Sequence, residues 1–171
     1  MAESPNVWNW VQCLLPAAVL MAAATSNAWG QSLRISPATV SRGGEVSIEI
    51  SLESPAGKEP LGLQWEMAVP KAEITLLDKV APGAAATAAG KLVRCAPKKG
   101  SQTAAMAVSA CILIGGQKPI QNGAIAVMPL RASANAHLGA AKIRLEKPLA
   151  VGANSKGVPL AASEAVLTIG K

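Results

Sequence analysis

The sequence contains no phenylalanine and no tyrosine. Its aromatic side chains are four tryptophans, and three of them (Trp8, Trp10, Trp29) fall within the first 30 positions. A surface that grips sugar rings or nucleic-acid bases by stacking needs several exposed aromatic faces. Residues 31–171 offer Trp65 alone. The chain is equally poor in metal-binding and nucleophilic side chains. Its one histidine, His137, has nearby only Ser133 and Asn135, which read as turn residues instead of as members of a triad. Three cysteines and one distant histidine do not make a ligand cluster at metal-site spacing. Gly115-Gly116 lacks the Lys-Ser/Thr that a phosphate-binding loop requires, and reads as a turn. Glu66, Glu73 and Asp78 could in principle pair for glycoside hydrolysis, but they read as solvated strand positions with no aromatic cleft beside them. No catalytic centre and no cofactor are expected.

Basic residues are plentiful but dispersed. Lys98-Lys99 is the only adjacent pair among 16. Nucleic-acid binders cluster such groups and interleave them with aromatics, so the charge is read as solvated surface, suited at most to an acidic partner. All 16 lie after position 30, while Glu3 precedes it, so residues 31–171 are more basic by one charge than the +6 of the whole chain.

The first 30 residues read as a secretory signal peptide. Cys13–Ala24 is an uncharged apolar run of 12 residues, the length of a signal core and short for a membrane span. Small residues at Ser26 and Ala28 fit cleavage after Ala28; Ala28 and Gly30 offer a second site before Gln31. The segment before the apolar run carries Glu3 and no basic residue, so an uncleaved membrane anchor stands as the alternative and would be the chain's only membrane contact. Cys13 precedes most of the run, which is not a lipoprotein arrangement. The expected organisation is a signal segment over 1–30 and one exported domain over 31–171, secreted to the extracellular space or the periplasm. A domain of that length has one core, here built from small aliphatic side chains.

The exported part is a series of short strands broken by Gly, Pro and Asn. Glu45 to Leu52 alternates cleanly, with Val46, Ile48, Ile50 and Leu52 on one face. Leu63, Trp65 and Met67 point one way, Gln64, Glu66 and Ala68 the other, and Pro70 closes that strand. A strand is expected over Glu73–Val80, others over Lys91–Cys95, Thr103–Ile114, Ala124–Ala132 and Ala140–Leu145, and a closing pair over 158–160 and 165–169. On the Thr103–Ile114 strand, Met106, Val108, Ala110, Ile112 and Ile114 share a face. The Ala-rich run at Ala84–Ala89 admits a helical turn between Gly83 and Gly90. About nine strands separated by turn signals predict an all-β, antiparallel two-sheet sandwich of the jelly-roll kind. Once the signal is removed, Cys95 and Cys111 are the only cysteines, and in an exported chain such a pair reads as a disulfide, with two free buried thiols as the alternative.

Several stretches together resemble the cohesin-like domains of bacterial exported proteins, jelly-roll sandwiches related to carbohydrate-binding modules. They are Leu33-Arg34-Ile35-Ser36-Pro37, Gly43-Gly44-Glu45-Val46, the Leu61–Met67 strand with its Gly-Leu-Gln-Trp-Glu core, the Gly83–Lys91 loop, Pro119–Ala126 with its Asn122-Gly123 turn, and the closing Val158–Ile169 segment. Where such domains carry Tyr-Asp-Pro after the third strand, this chain has Ala68-Val69-Pro70. The resemblance covers nearly all of residues 31–171. It implies a non-catalytic module that docks a protein partner, dockerin-like or an envelope protein, on one flat sheet face to which the third strand contributes. On that strand Gln64 and Glu66 face out of the core and are the candidate binding residues. The related modules bind polysaccharide, which is the second reading, and a structural part of an envelope or secretion assembly is the third.

Overall fold

The structure is a computed structural model that describes residues 30–99, 105–153 and 155–171. The apolar run at 13–24, Ala28 and Trp8, Trp10 and Trp29 lie outside the described residues.

The chain opens with β1 (Ser32–Ile35), turns at Ser36-Pro37 into β2 (Ala38–Ser41), and continues into β3 (Glu45–Glu53) and β4 (Gly62–Pro70). Then come β5 (Ile74–Leu76), β6 (Ala81–Pro82), the short helix α1 (Ala84–Ala88), β7 (Leu92–Pro97) and β8 (Met106–Ile114). β9 (Gly123–Ala132), β10 (Gly139–Val151), β11 (Gly157–Pro159) and β12 (Ser163–Gly170) complete it. The described residues thus contain twelve strands, more than the nine or so expected. The extra ones are short pieces such as β2 and β6, too brief for alternation to reveal.

The strands form two sheets. One has the order β1-β3-β9-β5, with β6 also on β9; the other has the order β2-β12-β10-β4-β8-β7, with β11 also on β10. All strand-to-strand pairings are antiparallel except β2 with β12, and an isolated parallel bridge joins Ser32 to Ala161. β1 and β2 belong to different sheets because Pro37 interrupts one ladder and lets the chain cross to the other. Ser36 secures the crossing: its backbone donates to the carbonyl of Glu49, and its hydroxyl accepts from the Glu49 N–H at 2.9 Å.

Alternation places the core between the sheets. Ile48, Ile50 and Leu52 of β3 meet Leu63, Trp65 and Met67 of β4 in one buried cluster. Alanines at 86, 126, 132, 136 and 150 are buried with them, so close approach of the sheets replaces the bulk that missing aromatics would supply. Three expected strands differ in extent. Only Ile74–Leu76 of the Glu73–Val80 stretch forms a strand. β10 runs on past Leu145 to Val151 through an irregularity between Glu146 and Leu149, where Lys147 has φ 49°. Of the expected Thr103–Ile114 strand, residues Met106–Ile114 are strand, while Thr103 lies outside the described residues.

The Ala-rich run is helical, as its composition allows, and ends in a Schellman turn. Gly90 at φ 68° donates to Thr87 and Lys91 to Ala86, each at 2.9 Å. At its other end Gly83 presses against β9: a Cβ there would lie 2.4 Å from the Ala124 carbonyl oxygen.

Candidate functional site

Four adjacent strands, β10-β4-β8-β7, present an outer face to solvent. Their cross-strand register sets side chains in rows. Arg94 is paired with Ile112, Ile112 with Gln64, and Gln64 with Leu149. The neighbouring row runs Ala96, Ala110, Glu66 and Glu146. On the other side, Leu92 stands opposite Ile114. Gln64 and Glu66 therefore both face out of the core, as alternation predicts. Of the shared face of Met106, Val108, Ala110, Ile112 and Ile114, the last three are exposed on this outer side, whereas Val108 is buried; Cys111 and Leu113 point inward.

The two candidate residues have different surroundings. Gln64 is exposed in the middle of the face. Glu66 is half-buried and already engaged: Lys98 Nζ lies 2.5 Å from Oε1 and Lys147 Nζ 3.4 Å from Oε2. The Lys98 hydrogen bond, more than any other contact, holds the Glu66 carboxyl below its ordinary range, and Glu66 in turn raises the ammonium of Lys98. A half-buried carboxylate between two ammonium groups is a structural cross-link of β4, β10 and the segment after β7. Sequence spacing gave no sign of it, because the three residues are distant in the chain.

Residues that the sequence did not mark as binding candidates dominate the other half of the face. Leu92 (56% exposed), Ile112 (39%) and Ile114 (48%) lie together on β7 and β8 and account for half of the large exposed aliphatic side chains among the described residues. Their side-chain types read as core in a linear sequence; only the register of an edge strand reveals them as surface. Covering one of them with a partner recovers roughly half of the 1.5–3 kcal/mol that full burial of such a side chain is worth.

Two devices hold this half rigid. Cys95 and Cys111 are directly paired across β7 and β8, with Cα atoms 4.1 Å apart, and are joined by a disulfide. The expected bridge is therefore present, in the register positions adjoining Arg94 and Ile112. Lys91, which precedes β7, is buried and donates from Nζ to the carbonyl of Gly116 at 2.9 Å, tying the start of β7 to the turn after β8. Desolvation lowers its pKa from the ordinary lysine value.

The remaining chemistry-bearing residues are dispersed. His137 is exposed in the loop before β10 and makes two 2.7 Å contacts with Glu73, one from its backbone N–H and one through Nδ1. These bonds lower the Glu73 pKa. Asp78 lines a cavity of about 50 Å³ between Leu76–Val80 and Cys95–Pro97. Among the described residues, no three His, Cys, Asp or Glu side chains gather as metal ligands would. Trp65 is 1% exposed, so the single aromatic of residues 31–171 offers no stacking face. Asn122 of the Pro119–Ala126 segment has a structural role: its side chain accepts from Ser54 N–H at 2.7 Å and donates to Ser54 O at 2.9 Å.

Compared by sequence, the chain matches no family model and no curated protein. Compared by structure, it matches solved cohesin modules. The sixth cohesin of scaffoldin B from Acetivibrio cellulolyticus, solved with a Cel5 dockerin mutant, superposes with a TM-score of 0.65 at 13% identity over 82% of this chain and 99% of that one. The cohesin of the OlpA–Doc918 type I cohesin–dockerin complex from Clostridium thermocellum gives 0.65 at 11% identity, over 82% and 99% of the two chains. A non-cellulosomal cohesin from the hyperthermophilic archaeon Archaeoglobus fulgidus gives 0.61 at 10% identity, over 83% and 92%. The described residues of this chain form a cohesin-like β-sandwich.

Proposed function

We propose that this protein is an exported, non-catalytic binding module whose protein partner docks on the outer face of β10-β4-β8-β7, around Gln64 and Glu66. The observation that carries the reading is the exposed aliphatic corner of Leu92, Ile112 and Ile114 beside Gln64 on an otherwise flat sheet. Contiguous exposed apolar side chains on a rigid surface mark interaction sites. A four-stranded face has enough area for a specific protein interface. Cohesins of the same fold, such as those of Acetivibrio cellulolyticus and Clostridium thermocellum, were solved with dockerins, which supports a protein as the partner class. The disulfide supports export, because such bridges persist in oxidising compartments. A dockerin-like protein is the partner this reading favours.

The test is Ile112→Asp. Ile112 is exposed and outward-facing, so the variant is expected to retain its circular dichroism spectrum and melting behaviour. A partner captured from the exported fraction, then purified and rebound, should lose at least tenfold in affinity. Equal binding by a folded variant places the partner elsewhere. A glycan array run beside it, positive for the wild type, replaces a protein ligand with a polysaccharide one.

A further inference from the structure

The outer face divides into two halves that use their charges differently. Over β12, β10 and β4 the cations are matched within the molecule: Lys142 with Glu164, Arg144 with Glu146, and both Lys98 and Lys147 with Glu66. A partner that used these carboxylates would have to displace a lysine or arginine already in place. Over β7 and β8 the situation is reversed. Arg94 is exposed on the edge strand and has no carboxylate partner among the described residues. It lies in register with Ile112, two residues from Leu92, with Ile114 opposite Leu92.

We infer that the partner is a protein segment presenting aliphatic side chains together with a carboxylate, and that it anchors on Leu92, Ile112 and Ile114 with the carboxylate on Arg94. The inference rests on the protein-binding reading above and narrows it to one half of the face and one chemistry. The reasoning is about desolvation. An occupant that covers the aliphatic corner removes water from Arg94 as well, because Arg94 is on the same face of β7 as Leu92 and in register with Ile112. A buried cation without a partner is strongly unfavourable, so a fitting occupant brings a counter-charge. A carboxylate satisfies the planar guanidinium through two parallel hydrogen bonds, which a lone carbonyl cannot. The surroundings favour the same sign, since in the next row two lysines share Glu66 while Glu146 is matched by Arg144. Pre-organisation favours this half too. The strand bearing Leu92 and Arg94 is covalently joined to β8 through Cys95–Cys111, and Lys91 fixes its start, so little ordering remains for binding to accomplish.

The experiment is selection of a displayed library of random peptides on the purified full chain, with Arg94→Glu and Ile112→Asp as parallel targets, each checked for an unchanged circular dichroism spectrum. Wild-type protein should enrich peptides that combine Leu, Ile, Val or Met with Asp or Glu. Synthetic versions of these should bind Arg94→Glu at least tenfold more weakly, weaken as salt rises, and recover on Arg94→Glu when their acid is replaced by Lys. Peptides that bind wild type, fail on Ile112→Asp and are indifferent to Arg94→Glu would overturn the acidic-partner inference while leaving the docking face intact. Peptides that bind Ile112→Asp as well as wild type, or no enrichment at all, would overturn both. Binding of dextran sulfate that is lost in Arg94→Glu but kept in Ile112→Asp would also overturn the inference, in favour of a plain anion site.

Discussion

Lys98 and Glu66 meet at 2.5 Å on the outer face, and Lys147 approaches the second oxygen of the same carboxylate. The folded state therefore prefers Glu66 ionised. Its pKa lies below the ordinary 4.5, so its contribution to stability is fully present above pH 4.5 and is lost as pH falls through the lowered folded value. Wild type should lose more melting temperature between about pH 5 and pH 3 than Glu66→Gln does. Glu73, lowered by His137, titrates in both proteins and cancels in the comparison. Parallel melting curves across that range would show that the Glu66 pairs contribute nothing. The same geometry makes Glu66→Lys a poor probe of binding, because it would set three ammonium groups together.

The bridge between Cys95 and Cys111 spans a sequence separation of 16. For a loop of that size the chain-entropy estimate is about 3 kcal/mol, which for a domain of this length corresponds to roughly 6–12 °C in melting temperature. Cys95→Ala/Cys111→Ala should melt lower by an amount in that range. β7 has β8 as its sheet partner, so the loosening should concentrate there. Hydrogen exchange should show faster amide exchange in Leu92–Pro97 than in β3 or β9. Uniform acceleration across both sheets would contradict a local role for the bridge.

Gly116 sits at φ 55°, and a Cβ on it would lie 2.3 Å from the carbonyl oxygen of Ala89. Both the backbone conformation and the space exclude a side chain, so Gly116→Ala should destabilise the fold by more than about 1 kcal/mol. It should also disturb the Lys91 contact, whose acceptor is the Gly116 carbonyl. Gly57, also at positive φ (75°), has open space around it, and Gly57→Ala serves as the control. Chemical denaturation of the two variants gives the comparison. Gly57→Ala shares the positive-φ strain, so equal midpoints would mean that the overlap with the Ala89 carbonyl is relieved without cost.

The parts of this architecture that follow local rules were legible in the sequence. β3 and β4 announce themselves by alternation, and the outward placement of Gln64 and Glu66 follows from the same period. The helical turn bounded by Gly83 and Gly90 and the pairing of Cys95 with Cys111 were equally readable. What alternation cannot reveal is which face of a strand meets the core when both faces are aliphatic. On β8, Ala110, Ile112 and Ile114 oppose Cys111 and Leu113, and only the register with β4 decides that the isoleucines face outward. Long-range electrostatics were likewise hidden. Nothing in the spacing of Glu66, Lys98 and Lys147 links them before β4, β7 and β10 assemble. The continuation of β10 past Lys147-Pro148 was missed because proline usually marks a strand end, whereas here an irregularity in the ladder carries the chain through.

The exported form should begin at Trp29 or Gln31. The apolar run at 13–24, short for a membrane span and followed by small residues at 26, 28 and 30, has the form that signal peptidase accepts. Either cleavage removes Trp8 and Trp10, and cleavage after Gly30 removes Trp29 as well, leaving Trp65 as the sole aromatic residue. Trp65 is buried in the core, so that form should show the emission of a shielded indole, shifting to longer wavelength in one cooperative step on unfolding. Cleavage after Ala28 would add a second indole at the chain terminus. Intact mass distinguishes the two cleavage sites, and fluorescence reports whether a tryptophan other than Trp65 persists. The domain is compatible with a chain that starts at either point. Gln31 is anchored by its own side chain, which donates to Ser54 Oγ at 3.0 Å and to the Lys58 carbonyl. A membrane-bound protein whose mass includes residues 1–28 would replace cleavage with an uncleaved anchor, and the binding face would then be displayed at a membrane surface.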